Sequence, residues 1–397
     1  MPDSSMSDPL SPPSVELSII MPCLNEKQTL KTCIDMAAGF LERSGVSGEI
    51  LIGDNGSTDG SQEIARKAGA RVVDVPVRGY GAALYHATMA AHGRYAVMGD
   101  SDASYDFSDL MPFLKRLREG DDLVMGNRFA GGIKPRAMPW KNRYIGNPIL
   151  SGIGRLLFRT PIRDFHCGIR GYSLAAFKAL DLRTTGMEFA SEMVIKATLA
   201  KMRVTEVPTT LSPDGRDRPP HLRPWRDGWR HLRFMLLYSP NWLFLYPGIA
   251  LMLVGAALTA RLLIGPWHVG GVDLDVHTLL YASFAIFVGF QITLFGIFYK
   301  VLGHADGLLP ESRRLSRFYK FAKLELGVVV GVLFLLAGLV GSAFAVHTWA
   351  AAGFGQLLPG QLVRLISVSA LGVALGLEVI LGSFFLSLLS MRSRRPG

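Results

Sequence analysis

The chain has 397 residues, which is long enough for two domains of ordinary size. Its formal net charge of +10 suits an anionic membrane surface, a phosphorylated substrate or a nucleic acid as partner. The three cysteines have neither metal-ligand spacing nor an even number, which argues against a disulfide framework and favours reduced, buried thiols.

The first segment, residues 1–14, is rich in Ser, Pro and Asp. It contains no basic stretch followed by an apolar one, so it does not have the pattern of a secretory signal. The composition predicts a short disordered lead.

From Val15 onward, short β-branched runs alternate with helical patterns. The predicted strands are Val15–Met21, Glu49–Gly53, Arg71–Val75, Tyr95–Gly99 and Asp122–Met125. The predicted helices are Lys27–Leu41, Ser61–Ala68, Gly81–Ala91 and Ser108–Glu119. Repeated strand–helix units predict an α/β domain with a mostly parallel sheet, whose ligands bind at the carboxyl ends of the strands.

Acidic and amide side chains follow three of the predicted strands. They lie in Pro22–Glu26, Asp54–Gly60 and Asp100–Asp102. A carboxylate cluster at a ligand edge is costly unless a cation offsets it, and two aspartates one residue apart suit a divalent ion that bridges to phosphates. The alternative is a pair of turn or capping aspartates. Similarly, Arg78–Ala82 is either a phosphate-binding turn or a plain turn.

The second half of the chain contains four apolar segments long enough to cross a bilayer. They are Trp242–Ile264, His277–Val301, Leu324–Val346 and Leu365–Leu389. Lys and Arg occur in the connection between the second and third segments and in the tail, but not in 265–276 or 347–361. The positive-inside rule therefore predicts four transmembrane helices with the N-terminal domain and the C-terminus in the cytoplasm.

The segment just before the first apolar run interleaves Arg and Trp between Arg216 and Arg233. Because it adjoins membrane segments, we expect it to lie on the membrane and guide an anionic lipid, and we do not expect a nucleic-acid partner. The alternative is a generic basic segment next to a membrane helix.

Seven motifs occur in the order found in GT-A-fold, family 2 glycosyltransferases. They are Met21–Glu26, Gly53–Gly60, Arg78–Ala83, Asp100–Asp102, Gly126–Arg128, Asp164–Arg170 and Met187–Glu192. Residues Val15 to about Leu211 thereby resemble that family, and most of all its polyprenyl-phosphate mannose and glucose synthases, such as dolichyl-phosphate mannose synthase.

The resemblance implies a role for each matching residue. A nucleotide-binding role falls to Pro22, Asn25, Glu26, Asp54, Asn55, Gly81, Asp100, Ser101 and Asp102. A catalytic role falls to Asp100, Asp102, Arg128, Asp164, Arg170 and Glu192, with Arg143 as a further arginine near substrate phosphate. Asp100 and Asp102 would bind Mg²⁺ or Mn²⁺. Two positions depart from the family pattern, because Asn55 and Ser104 stand where many relatives have Asp and Gln.

Together these features predict a GT-A (Rossmann-like) α/β domain followed by a four-helix transmembrane domain. The predicted segments are the lead 1–14, the glycosyltransferase domain 15–212, the juxtamembrane segment 213–240 and the transmembrane domain 241–397. The expected reaction moves a hexose from a nucleotide-sugar of the GDP-mannose or UDP-glucose type to a polyprenyl phosphate, with inversion, at the cytoplasmic face of a bacterial-type plasma membrane.

Two alternatives differ in class. A processive polysaccharide synthase also joins such a domain to membrane helices, although the Gln-x-x-Arg-Trp string typical of those enzymes is absent from the sequence. A non-catalytic membrane protein would use the domain as a scaffold or the helices for lipid translocation. The sequence leaves open the sugar, the base, the lipid length and whether the protein is a homo-oligomer.

Overall fold

The computed structural model describes residues 15–216, 224–309, 324–354 and 359–393. Two compact units divide the chain, one ending at Met235 and the other beginning at Leu236. The predicted disordered lead lies outside the described residues, as do parts of the predicted basic segments, namely 217–223, 310–323 and 394–397.

The first unit is built on a seven-stranded sheet in the order β3-β2-β1-β4-β6-β5-β7. The strands are β1 (Leu17–Cys23), β2 (Gly48–Asp54), β3 (Arg71–Asp74), β4 (Tyr95–Met98), β5 (Leu123–Asn127), β6 (Arg170–Ser173) and β7 (Val204–Pro208). All pairings are parallel except those of β6, which runs antiparallel to β4 and β5. The predicted mostly parallel α/β fold is therefore confirmed.

Helices connect most of these strands. Those of the first unit are α1 (Leu30–Ser44), α2 (Ser61–Lys67), α3 (Tyr80–Met89), α4 (Met111–Arg118), α5 (Arg128–Gly131), α6 (Asn147–Phe158), α7 (Leu174–Ala179) and α8 (Phe189–Leu199). A further helix, α9 (Pro224–Leu237), crosses the boundary between the units. Helix α1 illustrates why these helices form, since its apolar residues recur at helical spacing and face the core. The helix is ended by Gly45, whose φ of 64° is the left-handed conformation typical of a residue that follows a helix.

The predicted cysteine state is confirmed, because Cys23, Cys33 and Cys167 are all buried and none forms a disulfide. Burial raises the pKa of the Cys23 thiol to about 11 and the pKa of the Cys33 and Cys167 thiols to about 12. These thiols are therefore protonated and unreactive near neutral pH.

The sheet has its topological switch between β1 and β4. The chain proceeds from β1 to β2 and β3 on one side, and then returns to add β4 on the other side of β1. In open α/β sheets the crevice beyond the carboxyl ends at such a switch is where ligands bind. Here the segments that leave β1 and β4 are Leu24–Glu26 and Gly99–Asp102.

The second unit consists of long apolar helices and one short antiparallel hairpin, β8 (Trp267–Val269) with β9 (Val272–Leu274). The helices are α10 (Tyr246–Ile264), α11 (Val276–Ala305), α12 (Leu324–Ala351) and α13 (Pro359–Ser393), with a π-helical turn, Asn241–Leu245, leading into α10. Four stretches have the length and composition of membrane spans, namely Asn241–Ile264, Val276–Ala305, Leu324–Ala351 and Leu362–Met391. The four predicted transmembrane helices are thus confirmed, each within a few residues at its ends.

Glycines allow the last two helices to pack closely. A Cβ on Gly331 would lie 2.8 Å from the carbonyl oxygen of Gly376, and a Cβ on Gly338 would lie 2.5 Å from that of Ser369. Small residues at such contacts let helix backbones approach each other in a bilayer, where van der Waals packing holds helices together.

Candidate functional site

Two loops meet at the topological switch. The Ser101 hydroxyl donates to the carbonyl oxygen of Pro22 at 2.6 Å, and the Thr29 hydroxyl donates to the carbonyl oxygen of Ser101 at 2.7 Å. Ser101 is buried. These bonds fix the Asp100–Asp102 segment against the segment that follows β1, so Pro22 and Ser101 hold the two edges of the crevice together.

Asp54 ends β2 and is only 1% exposed. Its Oδ2 accepts hydrogen bonds from the backbone N–H groups of Gly56 and Ser57 and from the Gln62 amide, at 3.1, 3.0 and 2.6 Å. Its Oδ1 is also buried but has no hydrogen-bond partner within the described parts of the chain. Buried carboxylate oxygens are rarely left unpaired, so this atom is free to accept a donor group from a ligand.

Asn25 has a left-handed backbone conformation with φ 58°. Its side-chain oxygen accepts from the backbone N–H of Thr58 at 2.8 Å, and its own N–H donates to the Ser57 hydroxyl at 2.9 Å. Asn tolerates this conformation better than most residues. The loops after β1 and β2 are therefore tied together beside Asp54.

Asn55 fastens the loop that precedes α3. Its amide nitrogen donates to the carbonyl oxygens of Val75 and Val77 at 3.3 and 2.7 Å, and its oxygen accepts from Gly79 N–H at 2.6 Å. An aspartate could accept from Gly79 but could not donate to the two carbonyls. This explains why Asn suits a position at which relatives often have Asp.

Gly81 is buried where α3 begins. A Cβ there would lie 2.6 Å from the Phe189 side chain and 2.7 Å from the carbonyl oxygen of Thr184. Its missing side chain thus allows the segment after α7 to approach α3. Gly79, with φ 140°, meets the same segment, since a Cβ on it would lie 2.1 Å from the carbonyl oxygen of Thr185.

Asp100 and Asp102 lie just beyond β4. The Tyr80 hydroxyl donates to Asp100 Oδ1 at 2.9 Å. Gly168 leaves room for the other oxygen, Oδ2, because a Cβ on residue 168 would lie only 2.4 Å from it. Burial and the nearby charge of Asp102 raise the pKa of Asp100 to about 6. A divalent cation would offset this charge repulsion, and hard carboxylate oxygens are suitable ligands for Mg²⁺ or Mn²⁺.

Both carboxylate oxygens of Asp102 have partners. Ser104 donates to Oδ1 through its backbone N–H at 3.0 Å and its hydroxyl at 2.5 Å. Arg216 donates to Oδ2 from its Nη2 at 2.9 Å, while its Nε donates to Glu26 Oε2 at 3.1 Å. No signal in the sequence placed Arg216 in this site, because it lies in a basic stretch that suggested membrane contact.

Arg128 and Asp164 form a buried bidentate ion pair. The Arg128 Nε and Nη2 each donate to one Asp164 oxygen at 2.7 Å, and its backbone N–H donates to Oδ2 at 3.0 Å. Glu206 then accepts from the backbone N–H of Asp164 at 2.9 Å and from the Asn127 amide at 2.9 Å. These groups join the end of β5 to the segment before β6, and the Arg128 guanidinium is committed to Asp164.

Arg170 is fully buried at the start of β6. It donates to the carbonyl oxygens of Ala190 and Cys167, both at 2.6 Å, and burial lowers the pKa of its guanidinium. Its Nε is buried without a partner among the described residues. Arg170 therefore adds positive charge near Asp100, and its terminal amino groups donate to backbone carbonyl oxygens.

Glu192 is also fully buried, on α8. It accepts from the backbone N–H groups of Arg183 and Thr184, from the Thr184 hydroxyl and from Lys196 Nζ, at 2.6 to 3.1 Å. These contacts hold the segment that packs against Gly79 and Gly81. In this arrangement Glu192 shapes the wall of the site.

A pair of adjacent histidines, His231 buried and His166 half-buried, was not predicted. Ser191 Oγ lies 2.8 Å from His231 Nδ1 and 3.4 Å from His166 Nε2, and the two rings are 4.6 Å apart. Burial lowers the pKa of both, with Asp227 partly opposing this for His231. The sequence suggested that His231 contacts the membrane interface, but it faces the protein interior on α9.

Two family models match the sequence. The glycosyl transferase family 2 model matches residues 18–181, and the glycosyltransferase family 2 C-terminal transmembrane region matches residues 297–390. The low-salt glycan biosynthesis hexosyltransferase Agl6 of Haloferax volcanii is 36% identical over 93% of this chain and 88% of its own length. The dolichyl-phosphate hexose transferase of the same organism is 29% identical over 49% of this chain and 81% of its own.

Solved structures resemble only part of the chain. Glucosyl-3-phosphoglycerate synthase of Mycobacterium tuberculosis, in complex with Mn²⁺, UDP-glucose and phosphoglyceric acid, is 24% identical over 56% of this chain and 79% of that one, with a TM-score of 0.43. No conclusion about function follows from this partial likeness. The family matches and the near full-length similarity to Agl6 show, however, that the chain belongs to glycosyltransferase family 2 and is a membrane glycosyltransferase.

Proposed function

We propose that the protein transfers a hexosyl group from a nucleotide-sugar to a polyprenyl phosphate with the help of a divalent cation. The observation on which the proposal chiefly depends is the pair Asp100 and Asp102 at the topological switch, on the sheet edge where Asp54 ends β2 with a buried oxygen that has no partner among the described residues. The names of two relatives, a hexosyltransferase and a dolichyl-phosphate hexose transferase, support the hexosyl donor and the lipid acceptor.

The donor set suits Mg²⁺ or Mn²⁺ bound together with a nucleotide. Asp100 Oδ2 makes no hydrogen bond within the described ranges, and Asp102 lies two residues further along the same turn. Within the described ranges, no group of three or more His, Cys, Asp or Glu side chains is arranged so that it could hold a metal ion by itself. Such ions often bind through one or two carboxylates plus substrate phosphates and water.

When bound, the cation would offset the charge that develops on the departing nucleoside diphosphate. The protein's own residues would position the reactants. Asp54 Oδ1 would accept a donor from the base, because it is a buried acceptor without a partner among the described residues. Tyr80 and Gly168 would hold the Asp100 carboxylate in place.

The acceptor requires a cationic group and no general base. A phosphate monoester has a second pKa of about 6, so it is mostly dianionic near neutral pH and can attack the anomeric carbon directly, with inversion. Arg128 is committed to Asp164, so we assign the acceptor phosphate to Arg143, whose half-buried guanidinium lies 5.4 Å from the Tyr144 ring centroid. Arg128 and Arg170 would then not contact the phosphate directly. They would contribute positive charge to the site and support its backbone.

We further propose that α9 lies on the membrane surface. Its residues Trp225 and Trp229 are 88% and 59% exposed, and Arg233 is exposed as well, while His231 and Met235 face inward. Trp favours the interface and Arg favours anionic headgroups. The distribution of Lys and Arg between the spans supports a cytoplasmic location for this unit and for the C-terminus.

A donor panel tests the proposal. Full-length protein in detergent is given a polyprenyl phosphate and labelled UDP- and GDP-hexoses, with Mg²⁺ or Mn²⁺. Labelled glycolipid from one donor, absent with EDTA and with Asp102→Ala, is the expected result. If no donor yields glycolipid although nucleotide binds, the proposed reaction is wrong, and a scaffold or lipid-translocation role is favoured.

A further inference from the structure

Arg216 occupies a position in which a positive charge is needed. Its side chain is 12% exposed and bridges two carboxylates, with Nη2 2.9 Å from Asp102 Oδ2 and Nε 3.1 Å from Glu26 Oε2. Glu26 is itself buried. In the absence of a metal ion, this guanidinium is the cation that offsets the charge of Asp102.

This contact competes directly with a metal ion. Ser104 occupies Asp102 Oδ1 through two hydrogen bonds, so Oδ2 is the oxygen that can most readily accept another ligand. The Arg216 Nη2 already lies within hydrogen-bond distance of that oxygen. A divalent ion and a guanidinium repel each other strongly at such a distance, so one must leave when the other binds.

The backbone keeps Arg216 close to the site whichever partner its side chain has. Gly215 N–H donates to the carbonyl oxygen of Asp102 at 2.9 Å, and Ser212 N–H donates to that of Ser104 at 2.9 Å. A Cβ on Gly215 would lie 2.9 Å from the Thr29 methyl group, which shows how closely this segment packs. Release of Asp102 therefore requires only that the long Arg216 side chain rotate.

We propose that Arg216 is an internal counter-ion that occupies the place of the metal at Asp102 until a nucleoside diphosphate arrives. The diphosphate brings negative charge that gives the displaced guanidinium a new partner, so cation and nucleotide bind cooperatively and the cation alone binds weakly. The inference rests on the proposed function, in that Asp100 and Asp102 bind a divalent ion. It assigns to Arg216 the control of when that ion binds.

Binding of Mn²⁺ to the full-length protein in detergent, followed by electron paramagnetic resonance of the free ion, tests the inference without turnover. We expect Arg216→Gln to bind Mn²⁺ alone about tenfold more tightly than the parent protein. The increase in Mn²⁺ affinity on adding UDP or GDP should be correspondingly smaller. Arg216→Lys keeps the charge but lacks the planar, fixed set of donors that arginine presents to the two carboxylates, so its affinity should fall between the two.

Arg43→Gln is the matched control. It changes the net charge equally, and Arg43 donates to the carbonyl oxygen of Ser108 rather than to a carboxylate of the site. Its Mn²⁺ affinity should equal that of the parent. Thermal melting of each variant verifies that the fold is retained.

The possible outcomes separate the inference from the proposed function. Unchanged or weaker Mn²⁺ binding by Arg216→Gln would overturn the inference and leave the metal site intact. Mn²⁺ binding by Arg216→Lys as tight as that by Arg216→Gln would also overturn it, because the competing feature would then not be the positive charge. If neither the parent nor any variant binds Mn²⁺, even with nucleotide, the proposed metal site is itself wrong.

Discussion

Gly168 should be indispensable because it makes room for a carboxylate oxygen. Its φ is not positive, so alanine can adopt its backbone conformation. The added Cβ would nevertheless lie 2.4 Å from Asp100 Oδ2 and 2.9 Å from the Tyr105 ring. Since ordinary non-bonded contacts are about 3.5 Å, Gly168→Ala must displace the Asp100 carboxylate by about 1 Å.

A displacement of this size at a catalytic group can reduce the rate about a hundredfold. We therefore expect Gly168→Ala to lower kcat/KM for glycosyl transfer by about that factor, and to weaken Mn²⁺ binding in the presence of nucleotide. The assay measures both quantities and the melting temperature, which should change much less than the activity. A smaller loss would mean that the backbone at residue 168 moves instead of the Asp100 carboxylate.

Gly152→Ala provides the control. Gly152 lies within α6, and apart from the backbone of its own helix a Cβ there would have no neighbour within 4 Å in the described part of the chain. This substitution should leave kcat/KM unchanged and stabilise the helix by about 0.5 to 1 kcal/mol. Parent-like activity and Mn²⁺ affinity in Gly168→Ala would refute the argument that Asp100 must occupy this position.

Three further substitutions test the buried polar contacts. Asn55→Asp should destabilise the protein by about 3 kcal/mol, because two carbonyl oxygens lose their donor and face a carboxylate; an unchanged melting temperature would contradict this. Asp164→Asn should cost about 3 to 5 kcal/mol by leaving Arg128 buried without its counter-ion, and melting curves that match the parent would show that the pair is dispensable. Because burial lowers the pKa of His166 and His231, the folded protein favours their neutral forms, so stability present above about pH 6.5 is lost as the pH falls below it. The melting temperature of His231→Gln should accordingly fall less than the parent's between about pH 7.5 and 5.5, and an equal fall would count against this explanation.

Local patterns in the sequence were sufficient for the regular part of the fold. All five predicted strands exist within two residues or so, since each is a β-branched run closed by a polar loop. Strands β6 and β7 were not predicted. Strand β6 is only four residues long, begins with the buried Arg170, and pairs antiparallel between two strands that are distant in sequence.

The positions of the candidate site residues could be predicted from the sequence, but not which side chains pair with one another. The sheet edge brings Asp54, Asp100 and Asp102 to the predicted place, because the carboxyl ends of parallel strands share one edge. Which groups neutralise each other depends on distant contacts. Arg216 reaches Asp102 across 114 residues of sequence, and Arg128 reaches Asp164 across 36.

The same limit applies to the two histidines. His231 belongs to a helix whose exposed residues are mostly Trp and Arg, so its composition indicated the membrane interface. The helical turn nevertheless directs it inward to Ser191, 40 residues away in the sequence. Only the angular position of a residue on the helix, combined with knowledge of which face is covered, distinguishes the two environments.

The central claim, transfer of one hexosyl group to a lipid phosphate, is tested most directly by the mass of the lipid product. Purified protein is incubated with a polyprenyl phosphate and, in a parallel sample, with the corresponding polyprenol, each with the donor found active in the panel. We predict one hexose per molecule of polyprenyl phosphate and no product from the polyprenol. A ladder of several hexoses on one acceptor, or equal glycosylation of the polyprenol, would contradict the account.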